Sequence, residues 1–125
     1  MVKRNKKPKE TVKRKSVKEF FNALMAETDF TYTVGFTNAF KKDINSCYKQ
    51  SLDLNLLEEV IKKLARNQQL ADKYKVHKLT GYELKANEKI MECHVLPDWL
   101  LVWAQDDKEL ILIFTSTGSH AYLFS

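Results

Sequence analysis

The sequence predicts an α+β domain in which an N-terminal strand and a helical hairpin pack on a mainly antiparallel sheet of about four to five strands. Three observations predict it. Two stretches between Asn38 and Ala65 repeat apolar residues at helical spacing, several segments after Lys75 alternate or run apolar over strand lengths, and short turns rich in Pro, Asp, Gly and Thr separate them. A chain of 125 residues with 44% hydrophobic content can bury one core without disulfide or metal staples.

Charge divides the chain before structure does. Residues 1–15 hold eight Lys/Arg against the single Glu10, a net of +7, which exceeds the whole chain's +5 and leaves residues 16–125 at −2. That segment lacks hydrophobic periodicity and reads as a disordered basic tail, suited either to holding RNA phosphates by counterion release or to serving as a solubilising leader. Residues 16–30 form a second unit. Ser16-Val17-Lys18-Glu19 fits a capping box, and Val17, Phe20, Phe21 and Leu24 follow at helical spacing, predicting an amphipathic helix from about Val17 to Glu27. Its apolar face packs on the main domain or in a partner's groove.

The main domain, residues 31–125, has no internal repeat and no break. Phe30 to Phe36 reads as the first strand, with Tyr32, Val34 and Phe36 alternating against threonines and Gly35. Asn38 caps a helix running to about Gln50 on which Phe40, Ile44 and Cys47 share a face. Asp53 or Asn55 starts a stronger one with a wide stripe of Leu57, Ile61 and Leu64. Lys75 to Lys78 is a short extended piece bearing His77, Thr80-Gly81 is a turn, and residues 82–89 are loop-like. From Ile90 to Leu96 the chain alternates, with Met91, Cys93 and Val95 on one face and Glu92 and His94 on the other, so His94 points away from the core. Pro97-Asp98 breaks the ladder and Trp99 to Trp103 resumes it, giving a hairpin with His94 and Asp98 near one mouth. Leu110 to Thr115 is a continuous apolar strand of the mid-sheet kind, Thr117 to His120 is a turn, and Ala121 to Phe124 closes the molecule.

Several classes of function drop out. No apolar run is long enough to span a bilayer and the N-terminus lacks a hydrophobic secretory segment, so a cytoplasmic protein without membrane contact is expected. Cys47 and Cys93 are too few for a disulfide framework or a cysteine-rich metal site, and read as reduced core thiols.

The three histidines, His77, His94 and His120, all fall at strand ends or in turns, where functional side chains are mounted, and Asp98 stands close to His94. Imidazoles that titrate near pH ~6.5 can divide the roles of proton acceptor and donor near neutrality. This equipment suits metal-free RNA cleavage, with no cofactor. A base removes the ribose 2′-hydroxyl proton, an acid protonates the departing 5′-oxygen, and a donor or cation steadies the phosphate. A zinc site of His77, His94, His120 and Asp98 is the competing use, disfavoured by the lack of a compact ligand motif.

These residues also carry a resemblance. His77-Lys78-Leu79-Thr80-Gly81, then Glu92-Cys93-His94-Val95-Leu96-Pro97-Asp98-Trp99, then Thr117-Gly118-Ser119-His120 with the ending Leu123-Phe124, resemble the RelE superfamily of toxin–antitoxin ribonucleases and within it the YafQ branch. That branch has the pattern His-x-Leu-x-Gly, His-Val-x-Pro-Asp-Trp and Arg-Thr-Gly-[Ser/Thr]-His, and the likeness covers about residues 31–125. It implies a RelE/ParE-like fold and a toxin that cuts messenger RNA on the ribosome and is silenced by a cognate antitoxin. By position it implies His77 and His94 as base-side histidines, Asp98 as their acidic support and His120 as the general acid. It also places Trp99 and Phe124 near the substrate, where stacking on a base competes with plain packing as their use.

One position departs from the pattern. Where the family has arginine before Thr-Gly, this chain has Ser116, which removes a bidentate clamp on phosphate that a hydroxyl cannot replace; Lys78 or Lys85 is a candidate substitute. Two readings follow: an active endoribonuclease, or a catalytically weakened or inactive binding protein on the same scaffold that acts by occupancy and is neutralised by an antitoxin.

Overall fold

The computed structural model describes residues 14–82 and 84–124. The elements are α1 (Val17–Met25), β1 (Thr33–Phe36), α2 (Asn38–Lys49), α3 (Leu54–Ala65), β2 (His77–Leu79), β3 (Glu88–Leu96), β4 (Trp99–Asp106), β5 (Ile111–Gly118) and α4 (His120–Leu123), with a 3-10 turn at Asp72–Tyr74. The five strands form one sheet in the order β1-β5-β4-β3-β2. β1 runs parallel to β5, its neighbour in the sheet but not in the chain, since the α2–α3 hairpin carries the chain from β1 to β2 at the opposite edge, and the other pairings are antiparallel. This is the predicted α+β architecture, with β5 inside the sheet as its unbroken apolar run requires.

Local chemistry moves several boundaries. At α1 the Ser16 N–H donates to Glu19 Oε1 at 2.9 Å and the Glu19 N–H to Ser16 Oγ at 3.1 Å, a closed capping box. That helix stops at Met25, not Glu27, and Glu27 instead pairs with Lys62 in the last turn of α3 and with Arg66, the residue that caps it. The cap of α2 is Thr37, whose Oγ1 accepts the Phe40 N–H at 3.1 Å, so Asn38 is the first helical residue and not the cap. Asp53 is the cap of α3. β1 is shorter than expected because the Thr31 and Tyr32 N–H groups donate to Ala65 O at the end of α3, at 2.8 and 3.0 Å, and never join the sheet. The C-terminal residues, expected only to close the chain, form the one-turn helix α4.

The helices cover one face of the sheet. Phe40 and Ile44 of α2 and Leu57 and Ile61 of α3 meet Cys93, Leu101, Trp103, Leu112 and Phe114, and Phe20 and Leu24 of α1 complete the same core. The N-terminal helix therefore packs on the main domain, with Phe20 and Leu24 in its core and Val17 and Phe21 against it. The predicted tail lies mostly outside the described residues, and its last two members are not loose. The Arg14 guanidinium lies 3.8 Å over the Tyr48 ring and donates to Tyr48 O, and Lys15 pairs with Glu58. Both cysteines are buried free thiols, and burial pushes Cys47 up to about 11 and Cys93 up to about 12.

Candidate active site

The opposite sheet face is read from the register. His77 on β2 stands across from Glu92 on β3, Glu92 across from Val102 on β4, and Val102 across from Ser116 on β5. The neighbouring row is His94, Leu100 and Gly118. Side chains alternate along a strand, so His94 lies about 7 Å along β3 from Glu92 on the same face. Ser116 reaches this face through a bulge: Trp103 pairs with Phe114 while Val102 pairs with Ser116, leaving Thr115 as an extra residue. Without it Ser116 would share the core-facing parity of Phe114.

Two clusters of hydrogen bonds fix the histidines. In the first, His77 Nδ1 lies 2.7 Å from Lys75 O and Nε2 lies 3.1 Å from Glu92 Oε1. A carbonyl oxygen only accepts, so Nδ1 carries a proton, and the Nε2–Oε1 contact needs one more, either on the ring or on the carboxyl group. The Glu92 side chain is only 8% exposed, and its Oε2 has no hydrogen-bond partner among the described residues. Its charge, after burial itself, adds to the upward push on the Cys93 thiol.

The second cluster is built on the turn between β3 and β4, entered through a register shift between His94 and Leu96. His94 Nδ1 lies 3.1 Å from Pro97 O, and the same argument places a proton on Nδ1, so that in the neutral ring Nε2 is the nitrogen with the lone pair. The next residue, Asp98, accepts the backbone N–H of His120 at 3.0 Å through Oδ1. Two consecutive turn residues thus hold His94 of β3 and the backbone of His120 at the start of α4. The exposed His120 ring lies 4.9 Å from the ring of Phe124, which is itself exposed.

Two predicted positions fall elsewhere. Trp99 is 1% exposed and its Nε1 donates to Thr117 Oγ1 at 2.9 Å, so it packs in the core and offers no ring to a base; strand parity places it with Leu101 and Trp103. Lys78 stands opposite Met91, on the helix-facing side of β2, and not in the row of His77. Conversely Glu92 escaped the sequence reading as a site residue, although its spacing from His94 had placed both on one face. Among the described residues no group of three or more His, Cys, Asp or Glu is arranged to hold a metal ion.

Comparison with known proteins matches this arrangement to a family. Residues 32–125 match the family described as bacterial toxin of type II toxin-antitoxin system, YafQ. The mRNA interferase toxin YafQ of Escherichia coli (strain K12) is 33% identical over 92 residues, covering 73% of this chain and 94% of that protein. The crystal structure of the E. coli DinJ–YafQ complex aligns with a TM-score of 0.67 at 30% identity, over 76% of this chain and 100% of that one. A metal-bound toxin from Helicobacter pylori aligns with a TM-score of 0.66 at 38% identity, over 75% and 100%. α1 and the residues before it lie outside the family match. The family match over residues 32–125, with relatives similar in both sequence and shape over almost their whole length, shows that the chain belongs to the YafQ family of type II toxin–antitoxin toxins.

Proposed function

We propose that this chain is an mRNA interferase that cuts messenger RNA by acid/base attack of the 2′-hydroxyl on the adjacent phosphorus. The observation that carries the reading is the Pro97-Asp98 turn, which ties down Nδ1 of His94 and the backbone of His120 through neighbouring residues. His94 Nε2 is the base that takes the 2′-hydroxyl proton. The 2′-oxygen then bonds to phosphorus, and the bond to the 5′-oxygen breaks as His120 delivers a proton to it. The products are a 2′,3′-cyclic phosphate and a 5′-hydroxyl. Asp98 positions His120 and does not itself exchange a proton with RNA.

His77 is less suited than His94 to act as base, because both of its nitrogens already face acceptors. Its role in this scheme is electrostatic, a proton-bearing ring near the phosphate on the row that ends in Ser116. Phe124, exposed beside His120, offers the stacking surface for a base. The relatives' DinJ–YafQ complex supports a cognate antitoxin as partner. Codon-wise cutting on the ribosome, in the cytoplasm, is the setting in which a small, nearly neutral domain with a basic N-terminal segment finds its message.

The test is to map message ends after expression, with and without translation. Cuts in codon register that vanish when initiation is blocked support the ribosome-bound enzyme. His120→Ala should abolish both the cuts and growth arrest, by a factor of about 100 or more in cleavage rate. Ser116 favours the second reading, a protein that acts by occupancy, since the family's phosphate-clamping cation is missing there. Growth arrest that survives His120→Ala, without new message ends, would establish that reading instead.

A further inference from the structure

α4 is a single turn, too short to persist on its own, yet it carries His120. Its own cap is Ser119 Oγ, which accepts the Tyr122 N–H at 3.1 Å. Two carboxylates from elsewhere in the fold tether it. Asp98 accepts the His120 N–H at 3.0 Å, and Asp43 of α2 accepts the Tyr122 hydroxyl through Oδ1 at 2.6 Å. Asp43 is buried, and its Oδ2 accepts the Thr117 N–H at 3.1 Å, so one carboxylate holds both the end of β5 and the turn of helix beyond it. The Tyr122 ring lies against the bare backbone of Gly118, where a Cβ would come within 2.7 Å of Cδ2. The phenol thus spans from the surface, where half of it is exposed, to a carboxylate beneath the helices.

We propose that Tyr122 is a positioning residue for His120, acting through its bond to Asp43. With Asp98 holding one end of α4 and Asp43 the other, the helix axis is fixed in direction as well as place. Loss of the Asp43 bond leaves α4 free to pivot about Asp98, and the His120 ring then samples directions from which it cannot protonate the leaving oxygen. The catalytic consequence rests on the reading of His120 as general acid; the geometric one does not.

Tyr122→Phe keeps the ring on Gly118 and removes only the hydroxyl, so the full-length variant retains its packing. Single-turnover cleavage of a translated message should slow about tenfold at saturation, with the half-saturating concentration within twofold of the parent. Side-chain NMR should show the His120 ring signals shifted or broadened while those of His77 and His94 stay in place. Asp43→Asn, which still accepts from Thr117, should act in the same direction. A cleavage rate within twofold of the parent, a change confined to half-saturation, or equal disturbance of all three rings would overturn the proposal. If the parent itself cleaves no message, the nuclease reading fails separately, and the NMR comparison still decides whether Tyr122 orients His120: unmoved His120 signals reject it and selective movement upholds it.

Discussion

Ser116 is the residue at which this chain parts from its family's pattern, and the fold gives the difference a place. A bulge at Thr115 turns Ser116 out onto the face of His77, Glu92 and His94, so an arginine there would project among the same groups. Ser116→Arg is expected to raise the cleavage rate about tenfold, measured as single-turnover loss of a ribosome-bound message. An unchanged rate would mean that charge on the phosphate is handled by another group, with His77 on the same row the candidate in this scheme. At this scale the sequence was legible where strand alternation decides, as for His94 facing away from Met91 and Cys93. It was misleading where one letter pattern serves two environments. Trp99 follows a turn and resembles a substrate-side aromatic, but the parity it shares with Leu101 and Trp103 sends it inward. The bulge that sets Ser116 outward, and the pairing of His77 with Glu92, depend on cross-strand register, which no local pattern contains.

Among the elements, α1 is the one without counterpart in the matched region, and it is integral to the core. Phe20 is fully buried, 5.0 Å ring to ring from Phe21, which in turn packs edge-on against Phe36 of β1 and Phe40 of α2. Both ends of the helix are tied to α3, by Lys15 with Glu58 and by Glu27 with Lys62 and Arg66. Phe20→Ala is expected to cost about 3–5 kcal/mol in chemical denaturation, the range for emptying a buried phenylalanine site. A cost below about 1 kcal/mol would show that the helix is peripheral to stability. The capping box and apolar spacing made α1 readable from its letters, but its destination was not. An amphipathic face says that something covers it, and only the aromatic cluster across β1 and α2 says what. The shortening of β1 has the same origin, since the C-terminal carbonyl of α3 captures two N–H groups that the strand pattern would have assigned to the sheet.

For the molecule as a whole, positive charge is distributed unevenly along the sequence. Residues 1–13 carry six Lys/Arg against Glu10, whereas the domain from residue 31 onward is balanced at twelve of each sign. Deleting residues 1–13, and leaving Arg14 and Lys15 on their partners, should weaken ribosome association most at low salt; affinity that is unchanged from about 50 to 200 mM salt would exclude the segment from binding. The fold should also lose stability in alkali. Cys47 and Cys93 are pushed up to about 11 and about 12 from the usual 9.0, burial with a hydrogen bond to Asp107 also raises Tyr32, and the hydrogen bond to Asp43 raises Tyr122. All four hold their protons more tightly folded than unfolded. Their contribution is therefore whole below about pH 9 and falls away as pH rises toward 11–12, which denaturation midpoints at pH 7, 9 and 10.5 will register as a decline. Pro97 and Asp98, finally, are separated by one peptide unit, about 3.8 Å between α-carbons. Because those two neighbours anchor His94 and the segment bearing His120, thermal flexing of the sheet carries both rings along as passengers of the same bend. Covalent bonding fixes the spacing of the two anchors, while each histidine hangs from its anchor by one hydrogen bond, so substitutions that loosen the core should erode the molecule's lifetime before they part the anchors.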